Sequence, residues 1–222
     1  MEYIQIKNIE DPLFSKMHQL MQEVFPAEEV LEYELWREPL LDPTIRMFVA
    51  VVDGEVVGAT EYRFYADRML SMTDFTMIGK EGIGVGPFLA KKRHEDLMQL
   101  SKEHNVELIG VFAEIYDPYR IGDHAFGGIK AMNPFVRREV LAHLGFKRLN
   151  FSYVHPSWTN EGDAVTDLDF CFLPYQDAQT LNAHFIADFL KSYYAILSHK
   201  PEAWHTMIAQ LETKDEIELL PL

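Results

Sequence analysis

Glycines at positions 79, 82, 84 and 86 fall in one stretch, Thr76-Met77-Ile78-Gly79-Lys80-Glu81-Gly82-Ile83-Gly84-Val85-Gly86-Pro87-Phe88-Leu89. The residues before it read as a strand and those after it as a helix, so the glycines open into a helix N-terminus. Glycine lets the backbone turn its N–H groups inward, and a helix end adds roughly half a positive charge. Backbone of that kind can hold a phosphate without a basic side chain. A tight strand-to-helix turn that holds nothing would use the same residues. Spacing excludes two other phosphate motifs. A Gly-x-Gly-x-x-Gly fingerprint meets Pro87 when counted from Gly82 and Leu89 when counted from Gly84, and no Gly-Lys-Ser/Thr follows.

Acid–base candidates come from polar residues that interrupt apolar strands. Glu114 breaks the run Val106–Ile115, where an unpaired carboxylate is costly and usually has a purpose. Glu61 sits similarly among aromatic residues. Tyr153 is a third candidate, although a strand tyrosine more often packs with its hydroxyl hydrogen-bonded at the rim. The structural alternative for both glutamates is a carboxylate paired with a neighbouring arginine. His94-Glu95 lacks the second histidine of a zinc helix, since position 98 is Met, and no metal site emerges. The single cysteine, Cys171, lies in an apolar run and reads as a small buried side chain.

These residues need elements to carry them. Tyr3–Lys7 alternates as a strand. Asp11-Pro12 opens a helix with Leu13, Met17, Leu20, Met21 and Val24 on one face. An acidic helix is expected over Ala27–Glu38, then strands over 47–65 and 69–78, the first broken by an Asp53-Gly54 hairpin turn. A helix over Pro87–His104 has no apolar anchor between Lys91 and Asp96. A buried strand (106–115), a loop (117–132) and a helix from Asn133-Pro134 to Gly145 come next. Strands at 147–156 and 166–174 precede helices near 178–199 and 201–213, and a strand is expected at 217–222. The class is α+β: a mixed, mostly antiparallel sheet flanked by helices, with a helical C-terminal extension.

The chain has 222 residues and a formal net charge of −15. Such a surface repels phosphate backbones and anionic lipid, so nucleic acid and membrane surfaces are not expected partners. It would draw a cationic substrate, although solubility alone is the simpler account of the acidity. One cysteine, no leader-like apolar stretch and no run of about 18 apolar residues lead to a cytoplasmic expectation.

Glu81-Gly82-Ile83-Gly84-Val85-Gly86-Pro87-Phe88-Leu89 resembles the pyrophosphate loop of the GNAT superfamily of N-acetyltransferases, matching at every glycine and at the leucine. Asn133 through Leu144-Gly145-Phe146 resembles that family's later helix, and Met47–Gly58 its second and third strands. The likeness covers about residues 1–174 and leaves 175–222 as an extension, packed on the domain or at a homodimer interface. It implies an acyl-CoA N-acyltransferase fold, with acetyl-CoA as co-substrate and direct attack by a primary amine of a small molecule or peptide. It further implies that Phe75, Thr76 and Ile78 serve the thioester and pantetheine, while Glu81, Gly82, Ile83, Gly84, Val85, Gly86 and Asn133 complete the cofactor site. Glu114 is then the first choice of base, with Glu61 behind it. The acidic stretch Gln22–Glu38 would form the acceptor wall. Two positions depart from the pattern. Glu81 replaces the usual Arg or Gln and is expected to point to solvent. Leu141 replaces a general-acid tyrosine, a role for which Tyr153 and the more remote His143 are the substitutes. A non-catalytic acyl-CoA-binding domain and an interaction module acting through the tail are the alternative readings.

Overall fold

The computed structural model describes residues 1–158 and 163–222, apart from the side chain of Glu28. Strand β1 (Glu2–Ile6) leads into helix α1 (Pro12–Val24), where Asp11 accepts a hydrogen bond from Leu13 N and Pro12 fills the first helical position. Strands β2 (Ile45–Val52) and β3 (Glu55–Tyr65) turn at Asp53-Gly54, both at positive φ (52° and 80°), which a tight hairpin of this hand requires. β4 (Leu70–Ile78) runs into helix α2 (Val85–His104), and β5 (Gly110–Tyr116) into helix α3 (Pro134–His143). β6 (Lys147–Leu149), β7 (Leu168–Pro174), β8 (Thr180–Asn182), α4 (Ala183–Tyr193), α5 (Glu202–Glu212) and β9 (Glu216–Pro221) complete the order.

Among the described residues the strands form one sheet, ordered β1-β2-β3-β4-β5-β7-β6-β9-β8. Only β4 and β5 pair in parallel, from Leu70↔Gly110 to Thr73↔Ala113; beyond that register the two strands are not paired. Helices α1 and α4 cover one face, where Phe14, Met17, Ile186 and Phe189 join Met72, Phe112 and Phe170 in the main core. On the other face α2 packs Leu89 and Leu97 against β2 and β3, and α3 places Leu141 beside Ala113, Phe146 and Cys171.

Several expectations are corrected. Residues 27–38 make no helix but two short 3-10 turns, Ala27–Glu29 and Tyr33–Trp36, with a third at Pro39–Leu41. In one helix Glu28 and Glu32, and Glu34 and Glu38, would be like charges four residues apart. The Leu31 carbonyl is also taken by His18 Nε2 (2.8 Å) and Trp36 Nε1 (3.2 Å), which removes it from any helical ladder. The strand expected over 147–156 stops at Leu149, and the one expected from Val106 starts at Gly110. The gap noted in α2 is filled by Arg93, which completes the buried stripe Val85, Leu89, Arg93, Leu97. The strand expected at 217–222 is present as β9, which pairs with β6 and with the unexpected β8, and the helix expected near 178 begins at Ala183, capped by the Asn182 side chain.

Candidate active site

Where β4 and β5 part, their side chains open onto a cavity of about 320 Å³. A bulge helps to build it. Glu61 of β3 pairs with Phe75 and Tyr62 with Thr73, so Asp74 is an extra residue on β4; a bulge of this kind re-aims side chains. Asp74 accepts hydrogen bonds from Arg63 Nε (2.9 Å) and Tyr193 Oη (2.7 Å), and the Arg63 guanidinium also lies 5.3 Å from the Tyr193 ring centroid. Glu61 is 2% exposed, and its Oε1 has no hydrogen-bond partner, with Arg63 Nε 3.8 Å away. Burial, reinforced by the Asp74 charge, pushes Glu61 well above the ordinary 4.5 of a glutamate and favours its protonated form.

Glu114 is the first β5 residue beyond the paired register. Its Oε1 accepts hydrogen bonds from both Tyr153 and Tyr194, whose hydroxyls lie 2.7 Å apart. Its Oε2 faces His155 Nε2 at 3.9 Å. His155 Nδ1 accepts the Ser157 N–H (3.0 Å), which assigns the ring proton to Nε2, on the Glu114 side. Burial depresses this imidazole below its ordinary 6.5, leaving it neutral at pH 7. The same burial, with the Glu114 charge, raises both tyrosines well above 10, so their hydroxyls stay protonated and donate. Among the candidates read from the sequence, Glu114 and Tyr153 are thus joined, and Glu61 lies in the same cavity wall. Arg63, Asp74, His155, Tyr193 and Tyr194 were not foreseen; their only signal was polarity in apolar surroundings, repeated at many other positions.

Beyond the same, C-terminal end of β4 the glycine loop is built as a cradle. Gly82 and Gly84 both take φ +76°, and a Cβ at either would meet nothing within 4 Å. The first turn of α2 closes with Phe88 N on Gly84 O (3.1 Å). Val85 and Gly86 are the first two helical positions, so their amides have no intrahelical acceptor, and Pro87 after them has no N–H. Val85 itself is buried, and Gly86 packs closely on Ile78. Ile83 is half exposed at the loop tip. These features fit a diphosphate held by main-chain amides.

The remaining cofactor candidates have protein partners. Glu81 does not simply point to solvent: its Oε1 accepts the Ala131 N–H (2.7 Å). Ile78 N donates to Met132 Sδ (3.3 Å), and the Thr76 carbonyl accepts from Arg137 Nη1 (2.8 Å). Thr76 Oγ1 accepts from Arg93 Nη1 (2.8 Å), and the Phe75 carbonyl accepts from Thr60 Oγ1 (3.1 Å). Asn133 caps α3 by accepting the Phe135 N–H (3.0 Å). Arg137 lies on the face opposite α1, yet it also lines the cavity, so the cavity reaches into the gap between β4 and β5. Leu141 packs in the core, and His143 lies exposed at the end of α3.

No protein-family model and no curated protein sequence matches this chain. Solved structures do. An acetyltransferase assigned to the GNAT family from Bacteroides thetaiotaomicron superposes with a TM-score of 0.60 at 14% identity, covering 91% of this chain and 100% of that one. The PaiA N-acetyltransferase of Thermoplasma acidophilum, in complex with coenzyme A, reaches a TM-score of 0.49 at 14% identity, over 79% of this chain and 100% of its own. No described helix is long and apolar enough to cross a membrane. The parallel β4–β5 pair that opens beside a glycine loop, in a mixed sheet superposable on the first of these proteins, is the acyl-CoA N-acyltransferase fold of the GNAT acetyltransferases.

Proposed function

We propose that this chain is a cytoplasmic N-acyltransferase that moves an acetyl group from acetyl-CoA to a primary amine, with Glu114 as general base. The observation that carries the reading is the position of Glu114 at the mouth of the strand gap: one oxygen is fixed by two tyrosines and the other is open to the cavity. The fold alone does not carry it, since one fold serves many chemistries.

The residues divide the work by position. The cradle from Gly82 to Gly86 would hold the diphosphate, and bound acetyl-CoA would supply an electrophilic thioester carbonyl in the gap. An amine of ordinary pKa near 10.4 arrives as ammonium and must lose a proton before it can attack. Glu114 Oε2 takes that proton. Tyr153 and Tyr194 keep the carboxylate in one orientation, and neutral His155 presents Nε2–H to the same oxygen. Leu141 cannot donate a proton to the departing thiolate; a tyrosine hydroxyl of the Glu114 cluster or solvent fills that role.

Glu114→Gln keeps the shape and the tyrosine contacts but withdraws the base. Turnover with a reactive amine is expected to fall about 10²-fold or more while affinity for CoA stays unchanged. Undiminished turnover in this variant would remove Glu114 from the mechanism. Occupation of Thr76 O and Ile78 N by Arg137 and Met132 favours a second reading, a domain that binds acyl-CoA without turning it over. In that case acetyl-CoA raises the melting temperature while no amine releases free thiol.

A further inference from the structure

We infer that the acceptor is a compact amine carrying a single ammonium group and an apolar body that ends in a neutral hydroxyl. This deepens the acyltransferase reading of the same cavity and rests on it. Size comes first. A cavity of about 320 Å³ lies at the low end of the ~300–1,000 Å³ usual for small-molecule sites and holds roughly ten water-sized groups. A compact amine is enclosed by it, whereas a multi-ring amino sugar or a peptide segment would extend out through its open side.

Charge comes second, and each carboxylate in the wall can be followed to its partner. Asp74 is matched by Arg63 and Tyr193. Glu29 interacts with the Tyr116 hydroxyl and feels the charge of Arg137. Glu61 favours its neutral, protonated form. Among the described residues of the wall, Glu114 Oε2 alone offers a negative charge without a hydrogen bond, so this wall matches one cation. A second or third ammonium would be desolvated against Trp36, Phe75 and Trp158 without a counter-charge, which is costly.

Third, the Glu61 carboxyl is almost wholly buried in the cavity wall, and its Oε1 has no hydrogen-bond partner. A native structure rarely leaves such a group unmatched. A neutral hydroxyl at the far end of the ligand satisfies it, whereas an ammonium placed there would meet Arg63 at close range.

Three probes separate these features: tyramine, phenethylamine, which lacks the hydroxyl, and spermidine, which equals tyramine in non-hydrogen atoms but carries three charges. Calorimetry on the full chain without an acyl donor is expected to give at least tenfold tighter binding of tyramine than of spermidine, and severalfold tighter than of phenethylamine. Glu61→Leu should erase the preference for tyramine over phenethylamine, and Glu61→Gln, an isostere of the neutral carboxyl, should keep it. Spermidine or a three-ring amino sugar binding as tightly as tyramine overturns the inference, as does an unchanged preference in a folded Glu61→Leu chain. A tyramine preference without thiol release from acetyl-CoA leaves the inference standing and removes the acyltransferase reading. Thiol release driven best by spermidine does the reverse.

Discussion

Glu61 and Glu114 were both legible in the sequence for the same reason, a carboxylate set in an apolar strand. The structure gives them different chemistry. Glu114 keeps two hydroxyl donors and an open oxygen, while Glu61 lies next to Asp74 with its Oε1 unpartnered, and burial there favours its protonated form. The difference was not readable from sequence because Asp74, Arg63 and Tyr194 arrive from other elements. It has a measurable consequence. A carboxyl whose folded pKa is raised is neutral in both states below about 4.5, so it adds no pH dependence there. Above that, the unfolded chain ionises and the folded chain does not, so stability declines with rising pH until the folded pKa is reached. Glu61→Gln removes that slope. It should melt like the parent near pH 4.5 and become progressively more stable than the parent as the pH rises above that, by up to about 1.4 kcal/mol per pH unit until the folded pKa is reached. Denaturant titrations at several pH values test it; a gain that is constant from pH 4.5 to 8 would count against a neutral Glu61.

At the scale of elements, legibility followed local backbone chemistry. The Asp53-Gly54 turn, the Asp11-Pro12 helix start and the glycine cradle declare themselves because specific residues satisfy specific φ values or caps. The acidic stretch after Pro26 misled, since helix propensity there yields to side chains that bind the Leu31 carbonyl from α1 and from Trp36. Equally hidden was the strap from Lys130 to Arg137, which crosses the end of β4 through Ala131, Met132 and Arg137. Any ligand that pairs with the β4 backbone must first displace Met132 Sδ from Ile78 N and Arg137 from Thr76 O. Met132→Leu keeps the volume of this fully buried side chain but withdraws the sulfur acceptor. CoA association measured by stopped flow should therefore quicken severalfold in Met132→Leu, with little change in melting temperature. An unaltered association rate would mean that the strap does not lie on the entry path.

At the scale of the whole molecule, residues 175–222 decide whether the chain is a catalytic domain with an appendage or one cooperative body. Their sequence reads as amphipathic helices, which would serve a partner chain as well as an intramolecular core. A tail of that kind could be deleted with the catalytic domain left intact. The fold argues otherwise. β9 is hydrogen-bonded to β6, and Ile186, Phe189, Leu190 and Tyr194 are buried in the same core as Met72, Phe112 and Phe170. Tyr193 and Tyr194 carry two of the hydrogen bonds that set the cavity's acids. Each large apolar side chain contributes about 1.5–3 kcal/mol on burial. The loss of only those four approaches the ~5–15 kcal/mol of net stability a domain possesses. A chain ending at Pro174 should therefore show no cooperative melting transition in calorimetry, and its loss of activity would say nothing about mechanism. Tyr194→Phe is the informative change. It removes one hydroxyl and leaves the packing, so the melting temperature should move little while turnover falls about tenfold, the equivalent of one hydrogen bond of ~1.4 kcal/mol. If the truncated chain instead melted cooperatively and retained turnover, the tail would be an appendage and Tyr194 a bystander.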